Sequence, residues 1–200
     1  MIDLNKTIFL VDGPTEVKSL NKKFASEFNL KGKLSLRIVG CNGKNVSPEG
    51  YANKAQGIFF MALSGPFTSI ICVLDRENRN ENITMFSTRV KRAIIKKISE
   101  TSKYKESELD EKINISVPNR MFENWIVSDV EGLKTVNEII KDDSKQDYYD
   151  GKAGASVLKK MMRQSYDKIR HGPKLFNATR FKISKKHSPS FKLFANLLEI

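Results

Sequence analysis

Four acidic residues of this 200-residue chain stand close behind two apolar runs. Asp12 and Glu16 follow the run at 8–11, and Asp75 and Glu77 follow the run at 70–74. An unbroken apolar run is typical of a strand that is buried on both faces of a parallel sheet. Because crossover connections bring the carboxyl ends of parallel strands to one edge, we expect these acids to lie close together. Carboxylates crowded in this way repel one another, and a hard divalent cation such as Mg²⁺ or Mn²⁺ relieves the repulsion.

Glu123 is a candidate fifth ligand, because it follows a shorter strand-like run at 113–117. Alternation in an extended chain would also point Asp75 and Glu77 to the same side. The sequence therefore predicts a metal site at one edge of a sheet. The alternative is that these acids cap helices and pair with lysines, since acids are favoured in the first turn of a helix.

Charge is distributed unevenly along the chain, whose formal net charge is +12. Residues 101–150 contain 12 acidic and 7 basic residues, whereas residues 151–200 contain 12 basic and 2 acidic residues, a net charge of +10. A concentrated basic segment is typical of a polyanion partner, most often nucleic acid. The candidate phosphate contacts are Lys44, in a loop at 40–45, and Lys152, Lys159, Arg163, Arg180, Lys182, Lys185 and Lys186. A lysine-rich solvated surface is the alternative.

The remaining sequence pattern supplies the elements that would position these residues. Helices are predicted over 14–28, along the stripe at positions 52, 55, 59 and 62, and over 83–98. With strands at 8–11, 34–39, 69–74 and 113–117, they predict an α/β fold with an open, mainly parallel sheet. A basic helix is predicted over 151–169, and a last helix begins at Pro189 with Ser188 as its cap. We expect an α/β core at 1–145 and a basic, mostly helical segment packed on it at 146–200.

Several classes of protein are excluded by what the sequence lacks. No apolar run approaches the roughly 20 residues of a membrane span, and the first residues lack a secretory pattern, so a cytoplasmic protein without a membrane partner is expected. Cys41 and Cys72 are predicted to be buried free thiols. His171 and His187 are predicted to be surface residues. The chain has neither a complete phosphate-binding loop nor a nucleophile elbow.

The order of short motifs along the chain resembles that of Toprim domains. Val11-Asp12-Gly13-Pro14-Thr15-Glu16 looks like their Glu-Gly-x-Thr-Glu opening, and Leu74-Asp75-Arg76-Glu77 looks like their Asp-x-Asp motif. A closer resemblance is to Toprim-like bacterial proteins of the DUF4276 type, whose later landmarks resemble residues 117–125, 151–155 and 188–194. The chain is also similar to the Toprim nuclease domains of overcoming-lysogenization-defect proteins of phage defence.

This resemblance implies a Toprim-like fold and a Mg²⁺- or Mn²⁺-dependent nuclease that cleaves phosphodiester bonds of DNA or RNA. Asp75 and Glu77 would be catalytic metal ligands, with Glu16 as a further one. Asp12 would replace the glutamate that serves as metal ligand or general acid/base. Both Asp12 and Glu77 depart from the motif residue but keep its charge.

The resemblance further implies an effector of a prokaryotic anti-phage defence or toxin-like system, with an ATPase as a partner. Two other functions stay open. One is a non-catalytic nucleic-acid-binding module with a Toprim-like fold, and the other is a phosphoryl- or nucleotidyl-transfer enzyme that acts on small substrates.

Overall fold

Four parallel strands form the central sheet of the protein, whose computed structural model describes residues 2–28, 32–41 and 46–200. The strands are β1 (Thr7–Val11), β2 (Ser35–Ile38), β3 (Ser69–Val73) and β4 (Ile113–Ser116), in the order β2-β1-β3-β4. Val11, the last residue of β1, pairs with Ile38 and Val73, the last residues of β2 and β3. The carboxyl ends of the strands therefore form one edge. This sheet confirms the predicted α/β class.

Helices cover both faces of the sheet. The first three strands are followed by the three longest helices, namely α1 (Pro14–Phe28), α2 (Pro48–Ser64) and α3 (Ile83–Ser99). The others are α4 (Glu106–Lys112), α5 (Glu123–Ile126), α6 (Val130–Lys134), α7 (Gly154–Met161), α8 (Lys168–Ala178), α9 (Phe181–His187) and α10 (Pro189–Leu197). Within the described residues, none of these helices combines the length and the apolar composition that crossing a membrane requires.

Alternate side chains of the strands pack against the two helical layers. Phe9 and Val11 of β1 belong to a core cluster with α1 and α5 to α10, whereas Ile8 and Leu10 belong to a cluster with α2, α3 and α4. Residues near the carboxyl terminus enter the first cluster, where the Phe194 ring stacks on Trp125 with centroids 4.7 Å apart. Residues on both sides of position 145 thus share one core, and the division predicted there stays a prediction.

The chain leaves the two central strands on opposite faces of the sheet. Helix α1 follows β1 and packs into the first cluster through Leu20 and Phe24. Helix α3 follows β3 and packs into the second cluster through Phe86 and Val90. Where connections diverge in this way, a crevice opens at the carboxyl ends of the two strands, and open α/β sheets bind their ligands there.

The basic segment after position 150 differs from the prediction. The single helix expected over 151–169 is two helices, α7 and α8, and Ser165 and Ile169 are exposed. The reason is Asp167, whose side chain accepts hydrogen bonds from the backbone N–H groups of Ile169 and Arg170 and so starts a new helix. His171, expected at the surface, is buried, and its Nδ1 accepts a hydrogen bond from the Asp167 N–H at 3.0 Å.

Other local predictions are confirmed. Helix α1 has the predicted bounds, and the four positions of the α2 stripe are buried. Ser188 caps α10 by accepting a hydrogen bond from the Phe191 N–H at 3.1 Å. Cys41 and Cys72 are buried free thiols.

Candidate active site

All five acids that the sequence singles out line one pocket in the crevice between β1 and β3. The pocket has a volume of about 420 Å³. Its acidic residues are Asp12, Glu16, Asp75, Glu77 and Glu123. They come from the ends of β1 and β3 and from the first turns of α1 and α5, so the sheet edge gathers acids that are far apart in sequence.

Asp12 is held at the end of β1 by the neighbouring strand. Its Oδ2 accepts a hydrogen bond from the backbone N–H of Asp75 at 3.2 Å, which ties the two strand ends together. Its Oδ1 is buried and has no hydrogen-bond partner among the described residues. A buried polar atom without a partner is costly, so this oxygen marks a place where a ligand could supply the missing interaction.

Glu16 reaches the same pocket from α1. Pro14 is the first residue of this helix, a position that its fixed φ suits. Glu16 is buried in the first turn, and its carboxylate accepts a hydrogen bond from its own backbone N–H. The capping role that was the alternative for Glu16 is therefore compatible with its place in the pocket.

Glu77 reaches the pocket through an uncommon backbone conformation rather than through extended alternation. Its φ is +58°, and its N–H donates to the carbonyl of Arg120, whose own φ is +92°. Both values lie in the region that favours glycine, at a cost of about 1–3 kcal/mol each. The Arg120 Nε is also buried without a partner among the described residues. Such strain is concentrated at sites where the surrounding structure fixes a functional geometry.

Burial and mutual repulsion raise the pKa values of the pocket carboxylates. Burial raises the pKa of Asp12 from 3.8 to about 6, and the charge of Glu77 adds to this effect. Burial likewise raises the pKa of Glu16 from 4.5 to about 6, with contributions from Asp12 and Glu123. The pKa of Asp75 is held well above its usual value by burial and then by the surrounding carboxylates. The pocket is therefore short of positive charge.

Two basic side chains offset part of this negative charge. Lys168, at the start of α8, lines the pocket and lowers the pKa values of Glu16 and Glu77. The Arg79 guanidinium lowers the pKa values of Asp12 and Glu77. Arg79 is fixed by hydrogen bonds to the backbone, including one of 2.7 Å to the Val46 carbonyl just before α2.

Glu123 is set in place by residues that the sequence patterns did not single out. The Tyr166 hydroxyl donates to Glu123 Oε1 at 3.3 Å. Gly154 of α7 lies so close to α5 that a Cβ there would approach both the Glu123 carbonyl carbon and the Asn124 nitrogen to 2.7 Å. Only glycine permits this approach without displacing backbone, so Gly154 allows α7 to pack closely against α5 at Glu123.

A buried hydrogen-bond network links the pocket loops to α10. Asp150 Oδ1 accepts from the hydroxyls of Ser188 at 2.8 Å and Ser190 at 2.9 Å, and its Oδ2 accepts from the Asn119 amide at 3.1 Å. The Asn119 Oδ1 in turn accepts from Arg76 Nε at 3.1 Å. Arg76 stands between two pocket acids in sequence, so this network supports the loop that presents them.

The chemistry of the pocket fits a hard divalent cation. Carboxylate oxygens are the protein ligands that Mg²⁺ and Mn²⁺ prefer, and the unpartnered Asp12 oxygen and the raised carboxylate pKa values indicate the same need for positive charge. As the side chains stand, no three Asp, Glu, His or Cys residues in the described ranges are grouped closely enough to hold a metal ion. A bound cation would therefore require these carboxylates to move toward one another.

Several of the predicted phosphate contacts after position 150 serve structural roles. Arg180 donates to both carboxylate oxygens of the fully buried Asp129, at 2.7 and 2.8 Å. Arg163 pairs with Asp142 at 2.8 Å.

The other predicted contacts divide into paired and exposed residues. Lys152 pairs with Asp147 at 2.8 Å, and Lys185 donates to the carbonyl of Ile200. The remaining predicted contacts after position 150 are exposed on the surface, namely Lys159, Lys182 and Lys186. Lys44 lies outside the described residues.

Sequence reasoning missed Lys168, Arg79, Tyr166 and the Asp150 network. Tyr166 and Lys168 lie in a stretch that was expected to be continuous helix, so only the cap at Asp167 could have signalled that the chain turns toward the pocket. Comparison with protein-family models, with curated proteins and with solved structures gave no match to this chain.

Proposed function

We propose that the protein is a metal-dependent nuclease that cleaves phosphodiester bonds of DNA or RNA. The observation that carries this proposal is the convergence of five carboxylates in one pocket at the carboxyl ends of β1 and β3. The overall charge of +12 supports a polyanionic substrate, since it would attract nucleic acid to the surface. The resemblance of the acidic motifs to those of Toprim domains supports the same activity and a Toprim-like fold.

The donor set would hold Mg²⁺ or Mn²⁺ through Asp12, Asp75 and Glu77, with Glu16 and Glu123 as further ligands. When bound, such a cation supplies Lewis-acid polarisation of a phosphoryl oxygen. Positive charge at this place would also meet the unpartnered oxygen of Asp12.

The residues of the chain itself would contribute charge and proton transfer. In the metal-free pocket, burial raises the pKa of Glu16 to about 6, so this carboxyl group can exchange a proton close to neutral pH before a cation is bound. Lys168 lines the pocket and offers a cation to a substrate phosphate. The apolar side chains of Met121, Ala155 and Ile169 line the same pocket.

We further propose that this nuclease acts as an effector of a prokaryotic anti-phage defence or toxin-like system in the cytoplasm, with an ATPase as its partner. This part of the proposal rests on the resemblance of the motifs to Toprim nucleases alone.

The activity is tested by incubating the protein with plasmid, single-stranded DNA and tRNA in Mg²⁺, Mn²⁺ or EDTA. We expect cleavage of at least one substrate that needs the metal and is lost in Asp75→Ala. Asp143→Ala, which removes an exposed acid that does not line the pocket, is the control and should cleave as the unchanged protein does.

Three outcomes would contradict the proposal. Metal-independent cleavage, or cleavage that survives Asp75→Ala, would show that the pocket does not carry out the reaction. Nucleic-acid binding without turnover in either metal would instead identify a non-catalytic binding module.

A further inference from the structure

The groove between α2 and α3 is a second concave feature of the protein, on the face of the sheet opposite α1. It has a volume of about 420 Å³. Four basic side chains of α3 line it, namely Arg89, Arg92, Lys96 and Lys97. Its floor includes Ala52 of α2 and Ala93 of α3, whose small side chains leave the space between the helices open. Two acids, Glu49 and Glu100, also line it.

We propose that this groove binds the phosphate backbone of a nucleic acid and leads it to the acidic pocket. The inference rests on the proposed function in taking nucleic acid as the partner. In this proposal α3, rather than the basic carboxyl-terminal quarter of the chain, is the main phosphate-binding surface.

The basic residues of α3 have charge to offer to a ligand. Arg92 and Lys97 make no ion pair with any residue in the described ranges. Lys96 and Glu100 are 3.9 Å apart and both largely exposed, a pair of the kind that contributes little. Arg89 pairs with Glu81 at 2.9 Å, at the end of the groove nearest the start of α3. By contrast, Arg180 is committed to a buried carboxylate and is less available to a phosphate.

The spacing of these residues suits an extended ligand rather than a single phosphate. Positions 89, 92 and 96 recur at intervals of three and four, so they form one row along the helix. At a rise of 1.5 Å per residue, the row from Arg89 to Lys96 is roughly 10 Å long. A row of cations of this length matches a chain of several phosphates and exceeds the size of one anion.

The acidic pocket lies at the end of the sheet from which α2 and α3 start. Helices α2 and α3 each begin after the carboxyl end of a strand, so their first turns lie at the sheet edge that carries the acids. Arg79 lies beside the starts of both helices, since it donates to the Val46 carbonyl before α2 and its guanidinium lies 4.4 Å from the Phe86 ring centroid on α3. The same guanidinium acts on Asp12 and Glu77 in the pocket. A nucleic-acid strand that runs from the groove to the carboxylates would pass the starts of α2 and α3, where Arg79 lies.

The test is equilibrium binding of labelled single-stranded and double-stranded oligonucleotides, measured by fluorescence anisotropy in EDTA over a range of salt concentrations. The variant is Arg92→Glu with Lys96→Glu, two exposed positions whose change leaves the core intact. The matched control is Lys182→Glu with Lys186→Glu, two exposed positions of α9.

We expect the α3 variant to bind at least ~10-fold more weakly and its salt dependence to fall by about 2 in the logarithmic slope, about 1 per phosphate contact. The α9 control should bind within about twofold of the unchanged protein, because nucleic acid does not follow that surface. Equal binding by the α3 variant and the unchanged protein, or an equal loss in both variants, would overturn the proposal. The binding assay contains EDTA, so it tests the groove independently of cleavage. If the α3 variant binds more weakly but the unchanged protein shows no metal-dependent cleavage, the groove proposal stands and the nuclease proposal is refuted.

Discussion

Replacing Asp12 by asparagine should stabilise the metal-free protein near neutral pH. The pKa of Asp12 is raised from 3.8 to about 6, chiefly by burial, so ionising this group costs the folded state more than the unfolded state. Above both values, the difference corresponds to at most about 3 kcal/mol, at ~1.4 kcal/mol per pKa unit. The amide keeps an oxygen that can accept from the Asp75 N–H but carries no charge. Allowing for relaxation of the pocket, we expect a gain of about 1–3 kcal/mol.

The gain should depend on pH in a defined direction. The pKa of Asp12 is higher in the folded state than in the unfolded state. The stability that protonated Asp12 contributes to the unchanged protein is therefore fully present below about pH 3.8 and is lost as pH rises through about 6. The Asp12→Asn protein lacks this loss, so its advantage should be greatest near pH 7.5 and fall below ~1 kcal/mol near pH 4.

The measurement is thermal and denaturant unfolding of both proteins in EDTA across this pH range. For a chain of this size, the expected gain corresponds to a Tm rise of roughly 2–10 °C at neutral pH. Glu111→Gln, which changes an exposed acid of α4, is the control and should shift stability by less than ~0.5 kcal/mol. A loss of stability in Asp12→Asn at neutral pH, or a gain that does not change with pH, would refute the account of the pocket as a site of uncompensated negative charge.

Three further predictions follow from the same region. Mn²⁺ should raise the Tm of the protein more at pH 8 than at pH 5, because Asp12 and Glu16, with pKa values of about 6, must lose protons to bind it. Asp75→Asn should abolish this rise in Tm. A rise of the same size at both pH values would contradict the prediction. Gly154→Ala should cost about 1–3 kcal/mol in denaturant unfolding because its Cβ meets backbone at 2.7 Å, whereas Gly57→Ala in α2, with nothing within 4 Å, should be neutral or stabilising. The free energy of unfolding of Arg120→Gly should exceed that of Arg120→Ala by about 1 kcal/mol, with a correspondingly higher Tm, because only glycine relieves the strain at φ +92°. Equal stability of the two variants would show that this strain is absent.

The parts of the fold that the sequence predicts are those set by local pattern. Unbroken apolar runs predicted β1 and β3, because strands buried on both faces need apolar side chains at every position. The helix predicted over 14–28 has the bounds of α1. The parallel arrangement then follows from the helices between the strands, so the meeting of Asp12 and Asp75 could be inferred without coordinates.

The parts that were missed depend on tertiary contacts. The turn at Tyr166 interrupts a helix-like pattern because Asp167 caps α8, and a side-chain cap inside a charged stretch resembles an ordinary surface residue. The positive φ of Glu77 accompanies a hydrogen bond from its N–H to the Arg120 carbonyl, a tertiary contact that no spacing in the sequence reveals. The distribution of charge along the sequence identified a basic segment. It could not show that Arg180 forms an ion pair with Asp129, because such pairs depend on which elements become neighbours in the fold.

The Asp150 network has a consequence for when the acidic pocket becomes structured during synthesis of the chain. Asp150 supports Asn119 and thereby Arg76, but its own partners, Ser188 and Ser190, lie 38 and 40 positions later in the chain. During synthesis the acidic loop is therefore translated long before the hydroxyls that complete its support. We expect the nascent chain to hold its carboxylates in a loose arrangement until α10 has left the ribosome, so that the pocket is assembled last.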